Sequence, residues 1–332
     1  PWSLDPSSNE FATLDVGGTT ASLYQNSFNN SPFGTLSATA TFTRPYLVVS
    51  SYSTHSPSFP SGVLTMYVDG SRRGNGAGWD ELGWEDVTCG NGVASLLVGN
   101  SGIDSSGRFG GFVGEVRVFS GVLTTAQLEQ EEGYLAWKWG INQYLPSTHP
   151  YYNAPPNGTG YTTFTNTNTG TNTGPQGTHT NLLCLWHDFS DVAAITTSGT
   201  DITAAYDKSP LGLHGTSTAS GTKTGYPVYV SSAIGSRAAA DFTGNSLTAP
   251  RYIMTTADIF STASLAGLNE LTIVGVTKFS GSVYDGQLFT IGQGTGAWDV
   301  YDYDDMPTGI VSEMDSPDNF VDFYSTATAR VF

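Results

Sequence analysis

Short apolar runs punctuate the chain and set its rhythm. They occupy residues 45–50 (PYLVVS), 63–69 (VLTMYVD), 95–99 (SLLVG) and 114–119 (GEVRVF), then 182–186, 226–231, 271–278 (LTIVGVTK) and 287–292 (QLFTIG). Val, Ile, Leu, Tyr, Phe and Thr dominate these runs, and clusters of Gly, Asp, Asn or Ser separate them, which is the signature of strands joined by turns. None of the runs is long enough to span a bilayer as a helix. The spacing predicts an all-β chain of antiparallel sheets stacked as a sandwich.

One segment breaks this rhythm and predicts a helix. Thr124 stands before Thr125-Ala126-Gln127, so its side chain can cap the first turn while Gln127 reaches back as the capping-box partner. Leu128, Leu135 and Trp139 recur at helical intervals on one face, and Gly140 stands where a left-handed residue would end the helix. Glu129, Glu131 and Glu132 lie toward the start and Lys138 in the last turn, the arrangement the helix dipole favours. Trp137 and Trp139 are expected to anchor the helix onto a sheet.

Residues 154–180 read differently again. Dense Gly, Asn, Thr and Pro, as in NTNTGTNTGPQGT, bury little and predict a linker. The chain therefore divides into 1–153, a linker at 154–180, and 181–332. Composition narrows the class of protein. The 12 Lys+Arg against 29 Asp+Glu give a formal net charge of −17. Such a balance argues against nucleic-acid binding, which needs a basic surface, and against a polybasic membrane anchor. Charged residues make up only 12% while 40 residues are Gly, a mixture that suits an extracellular or virion protein better than a cytosolic enzyme. Cys89 and Cys184 are the two cysteines, too few for a disulfide scaffold, and are expected to be buried thiols. The opening at Pro1, with neither Met nor a signal-like pattern, predicts a processed or partial chain.

The residues around the helix resemble a known family. Gly114-Glu-Val-Arg-Val-Phe119, Leu123-Thr-Thr-Ala-Gln-Leu128, Glu132-Gly-Tyr-Leu-Ala-Trp-Lys-Trp-Gly140 and Leu145-Pro-Ser-Thr-His-Pro-Tyr151, followed by Ala154-Pro-Pro156, are similar to the C-terminal signature of concanavalin A-like, laminin G-like jelly rolls. Such domains occur in phage structural proteins and secreted bacterial proteins. Met66-Tyr-Val-Asp-Gly70, Leu97-Val-Gly99 and Phe109-Gly-Gly-Phe112 resemble preceding strands and turns of that family. After the linker, Trp186-His-Asp-Phe-Ser190, Ala205-Tyr-Asp-Lys-Ser209 with Leu213-His214, Ala240-Asp-Phe-Thr-Gly244 and Leu271-Thr-Ile-Val-Gly-Val276 resemble its N-terminal half, with Tyr206 for the usual Trp and Pro210 for Gly. The first segment thus resembles the C-terminal portion of one jelly roll and the second the N-terminal portion of another. That order predicts a window from a longer tandem chain, or halves completed by neighbouring subunits, because a half sandwich would expose an open edge.

Catalysis finds little support. A laminarinase-type Glu-x-Asp-x-Glu strand would align three carboxylates on one face, but the nearest segment, Asp80-Glu81-Leu-Gly-Trp-Glu85-Asp86, has Gly83 where the central acid belongs. The five histidines form no zinc spacing, and His149 and His214 are expected to make structural hydrogen bonds. His187-Asp188 near Cys184 lacks any nucleophile-elbow setting, and the Gly-rich stretches lack a P-loop Lys. No cofactor is required. Calcium is the ion the resemblance implies, and Asp302, Asp304 and Asp305 would supply hard oxygen ligands for it, with Asp315 and Asp318 nearby. Trp79, Trp84, Trp298, Tyr301 and Tyr303 are the candidates for stacking on sugar rings. The expectation is a non-enzymatic virion surface protein, such as a phage decoration, fibre or tail component. Its partners would be other virion subunits, copies of itself, or cell-surface glycans. A secreted bacterial adhesin or carbohydrate-binding module is the alternative, and a polysaccharide-degrading enzyme comes third.

Overall fold

The computed structural model describes residues 11–17, 20–26, 35–40, 44–53, 63–72, 82–83, 96–99, 109–156, 183–209, 211–217, 225–244, 251–255, 271–280, 289–291, 298–303 and 309–314. The first segment holds β1 (Phe11–Gly17), β2 (Thr20–Asn26), β3 (Thr35–Ala40), β4 (Pro45–Ser53), β5 (Val63–Val68), β6 (Ser71–Arg72), β7 (Leu82–Gly83), β8 (Leu96–Val98) and β9 (Gly111–Ser120), then helix α1 (Thr125–Trp139). The second holds β10 (Leu183–Asp188), β11 (Ile195–Ser198), β12 (Asp201–Ala205), β13 (Gly215–Thr216), β14 (Val228–Ile234), β15 (Arg237–Asp241), β16 (Ile253–Thr255), β17 (Leu271–Phe279), β18 (Phe289–Ile291), β19 (Trp298–Tyr303) and β20 (Gly309–Met314). Every pairing among these strands is antiparallel. Among the described residues the chain is all-β apart from α1 and two single 3-10 turns, as the strand-sized apolar runs predict.

Strand β9 is the hub. One edge runs along β17, from Leu271 opposite Ser120 to Phe279 opposite Gly111. The other edge pairs with β10, Asp188 opposite Glu115, and at its start with β15, Ala240 opposite Val113. Beyond β17 lies β4, Leu271 opposite Tyr52 and Lys278 opposite Pro45. Strand β8 likewise bridges β16 and β18, both through Val98. Strands that lack partners inside their own segment therefore find them across residues 154–180, and that Gly/Asn/Thr-rich stretch does not divide the sheet.

Helix α1 forms as its caps dictate. Thr124 accepts the Gln127 amide, Gln127 returns a bond to the Thr124 backbone, and Gly140 ends the helix at φ 67°. Leu128, Leu135 and Trp139 pack with Leu47 and Val49 of β4, Phe119 of β9, Trp186 of β10 and Val274 and Val276 of β17. This shared apolar cluster draws on both segments, so burial as well as hydrogen bonding holds them together. A second aromatic group joins them again: Phe109 meets Phe242 and Phe279 edge-on, at centroid distances of 6.2 and 5.9 Å. Residues 68–71 turn tightly, with Asp69 at φ 52° and Gly70 at φ 73°, the left-handed pair a two-residue hairpin needs. Asp69 also accepts the Leu47 amide at 3.0 Å, tying the turn to β4.

Candidate functional site

A cluster of ionised side chains lies buried where α1 crosses β9 and β10. Glu115 and Arg117 sit two residues apart on β9, so the strand's period of two presents both on one face. Helix α1 contributes Glu131 and Lys138, β10 contributes Asp188, and the turns after β10 and β12 contribute Asp191 and Lys208. Side-chain exposure is 0% for Glu115, Arg117 and Lys208, and 6% for Lys138. Burial on this scale is tolerated only when each charge is paired and hydrogen-bonded.

The pairing is thorough. Arg117 donates through Nε and Nη2 to Glu115 Oε1 at 3.0 and 2.8 Å, and through Nη1 to Glu131 Oε2 at 2.7 Å. Its guanidinium lies over the rings of Tyr134 and Trp186, 4.3 and 4.2 Å from their centroids, where a weakly hydrated planar cation is most at home. Glu115 also accepts Trp186 Nε1 at 2.6 Å, Trp139 Nε1 at 2.9 Å and Lys138 Nζ at 2.7 Å. Lys138 Nζ reaches Asp188 Oδ2 at 2.6 Å, and Lys208 Nζ reaches the same oxygen at 3.0 Å and Asp191 Oδ2 at 2.8 Å. Burial acts to raise the pKa of both Glu115 and Asp188. Lys138, helped by Arg117 at Glu115 and by Lys208 at Asp188, outweighs it and holds both carboxyls below the ordinary range.

Beside this cluster, the Asp207-Lys208-Ser209 turn is organised by one carboxylate. Asp207 accepts the amides of Trp186, Ser209 and Leu213 at 2.8, 2.8 and 2.7 Å, and the Ser209 hydroxyl at 2.6 Å. His214 Nδ1 accepts the Asp207 amide at 3.1 Å, and His149 Nδ1 accepts the Tyr151 amide at 3.2 Å. Both histidines thus make the structural hydrogen bonds expected of them. His149 Nε2 also faces Glu132 Oε2 at 3.4 Å, and burial raises the Glu132 pKa despite that neighbour.

His187, Asp188 and Cys184 do not assemble as a nucleophile set. Cys184 Sγ donates to the Val118 carbonyl at 3.1 Å, and burial drives its pKa up, so the thiolate is disfavoured. Alternation along β10 turns His187 away from Asp188. There it is fully buried, and neither ring nitrogen reaches a hydrogen bond of normal geometry among the described residues. Burial pushes its pKa down to about 4.

Of the residues singled out for ligands, Trp298, Tyr301, Asp302 and Tyr303 fall on β19, where Asp302 pairs with Ile310 of β20. Trp79, Trp84, Asp304 and Asp305 lie outside the described residues, as do Asp315, Asp318, Glu81 and Glu85. Among the described residues, no His, Cys, Asp or Glu group has the arrangement of a metal site, and no helix is long and apolar enough to cross a membrane. The ion cluster itself is absent from the sequence-based candidates. Its signal is present nonetheless in GEVRVF: two opposite charges alternate with valines in a run otherwise suited to a buried strand. Compared with known proteins, the chain matches no family model, no curated protein and no solved structure.

Proposed function

We propose that the chain is a non-enzymatic structural and adhesion protein of a virion surface, a phage decoration, fibre or tail component. In this reading it is built as a concanavalin A-like, laminin G-like jelly roll whose two halves run in exchanged order along the sequence. The motifs at 109–156 resemble the end of such a domain and those at 183–276 its beginning. The pairing of β9 with β10 and β17 supports their completing one another.

The observation that carries the non-enzymatic reading is the state of Glu115. A carboxylate offers about four lone-pair directions. Five N–H contacts already converge on this one, from Arg117 twice, Lys138, Trp139 and Trp186. With its side chain fully buried among groups of this chain, it is open to no substrate arriving from outside, so it is not placed to serve as the acid or base of an enzyme acting on other molecules. The low charge content and acidic balance suit a repetitive particle surface that must stay soluble. Partners in this reading are other virion subunits or further copies of the chain. Glycan-coated surfaces would be met by Trp79, Trp84, Trp298, Tyr301 and Tyr303, with calcium held by Asp302, Asp304 and Asp305.

Peptide mass spectrometry across a density gradient of the source material tests the proposal. A virion component follows the particle fractions at constant copy number. A chain that remains in the soluble or cell-surface fractions overturns the virion reading and favours a secreted adhesin.

A further inference from the structure

Lys138, Asp188 and Glu115 are disposed for more than mutual neutralisation. Lys138 Nζ lies 2.6 Å from Asp188 Oδ2 and 2.7 Å from Glu115 Oε2, so one amine touches both an acyl group and a second carboxylate. The other oxygen of Asp188, Oδ1, accepts the Ser190 amide at 3.1 Å and the Ser190 hydroxyl at 2.6 Å. Lys208 Nζ stands 3.0 Å from Oδ2. An amine, an acyl carbon, a proton relay, two donors on one carboxyl oxygen and a cation beside the other are the components of acyl transfer. The three reacting side chains are 6%, 3% and 0% exposed, and the indoles of Trp139 and Trp186 line the site, so bulk water does not compete.

We propose that Lys138 and Asp188 condense into an intramolecular isopeptide bond, with Glu115 as the proton relay. The resting ion pair first transfers a proton from Lys138 Nζ to Asp188 Oδ2, leaving a neutral amine against a neutral carboxylic acid. The Nζ lone pair attacks Cγ, and the negative charge that develops on Oδ1 is held by the two Ser190 donors. Glu115 Oε2 removes a proton from the now cationic nitrogen and delivers it to the Oδ2 hydroxyl. The Cγ–Oδ2 bond breaks, Oδ2 leaves as water, and the carbonyl at Oδ1 reforms. One C–N bond is made, one C–O bond is broken, one water is released, and Glu115 and Lys208 end in the states in which they began. No oxidant or cofactor enters.

The product also removes one cation and one anion from a buried site while leaving Arg117 with Glu115 and Glu131, and Lys208 with Asp191. It ties α1 to β10, and hence the first segment to the second, in a chain with two cysteines of which Cys184 is a free buried thiol. Arg237 Nε donates to the Lys138 carbonyl and fixes the end of the helix that presents the amine.

Intact mass spectrometry of the full-length chain decides the matter. The expected mass is one water below that of the sequence, with a branched peptide joining the segments around Lys138 and Asp188 after digestion. An unmodified mass, or a water loss that maps elsewhere, overturns the proposal. Glu115→Gln keeps the side-chain shape but cannot relay a proton, so it is expected to retain the full mass. A folded Glu115→Gln chain that still carries the bond overturns the relay role of Glu115.

Discussion

Trp186 Nε1 donates to Glu115 Oε1 at 2.6 Å across 71 residues of sequence. The indole belongs to the strand that opens the second segment and the carboxylate to the hub strand of the first. This contact fixes both where the two segments meet and how the buried charges between them are satisfied. Indole N–H donors suit that task because they stabilise a carboxylate without adding a further charge to desolvate.

Arg117 is the residue on which the cluster depends most. Arg117→Met removes one partner of Glu131 and two of the donors to Glu115, weakening the pairing of both carboxylates in a dry site. Breaking a buried pair in this way costs about 3–5 kcal/mol. Chemical denaturation should show a lower midpoint with an unchanged slope. Arg117→Lys should recover only part of the loss, because a point charge cannot form the fork to Glu115 or cover both rings as a plane.

His187 predicts a specific dependence on pH. Its folded pKa, pushed down to about 4, lies below the unfolded value of about 6.5. Between these limits the unfolded chain binds more protons, so stability rises with pH through that window. Equivalently, stability is lost as pH falls from about 6.5 toward 4, by up to about 3 kcal/mol. Asp207 draws the pKa upward and His214 opposes it, so the neighbouring His214 should be held constant in the comparison. Urea unfolding measured across this range should slope for the parent chain and be flatter for His187→Leu. Glu132, whose pKa burial raises, contributes the opposite slope, its stability lost as pH rises through the folded value.

Gly114 and Gly140 should respond differently to alanine. A Cβ on Gly114 would stand 2.6 Å from Trp139 Cη2, in a ring already held by its bond to Glu115. Overpacking of this kind costs about 1–3 kcal/mol. A Cβ on Gly140 meets nothing within 4 Å, so Gly140→Ala pays only the left-handed penalty of about 1–2 kcal/mol. Combining each with Trp139→Phe separates the mechanisms. Gly114→Ala should be non-additive with it by at least about 0.5 kcal/mol, and Gly140→Ala more nearly additive.

Cutting the chain within residues 157–182, at an introduced protease site, should leave the two products together in gel filtration under native conditions. The ladders of β9 with β10, β15 and β17, and of β4 with β17, join residues on either side of the cut. Products that separate without denaturant would show that these ladders do not hold the segments together. In denaturant, products held by ion pairs separate, whereas the Lys138–Asp188 amide keeps them joined.

Local structure was legible where local physics decides it. The capping box of Thr124 and Gln127 and the stop at Gly140 depend on residues adjacent in sequence, and both appear as expected. The runs at 45–50 and 271–278 become β4 and β17 because their branched and aromatic side chains suit a pleated surface. Their adjacency was not legible. Pairing Val274 with both Val49 and Arg117 is a non-local choice that no turn residue announces. Glu131 and Glu132 show a different limit. Their position on a helix fits solvent and dipole equally well, but both are buried by partners far along the chain, Arg117 and His149. The charge cluster was written in the strand pattern of Glu115 and Arg117, but its complement lay in three separate motifs.

Phe11 of β1 stands opposite Glu313 of β20, and the ladder continues to Asp15 opposite Gly309. β9 and β10 are joined in the same way on either side of residues 154–180, so a strand pair bridges the two segments at each of their ends. With both ends bridged, the place where synthesis starts is separable from the folded arrangement. A gene that begins near residue 183, runs through a short bridge from β20 to β1 and finishes near residue 156 would encode every ladder described above. The two genes would differ in which ladders become available first as the chain leaves the ribosome, and hence in the route to the fold rather than its destination.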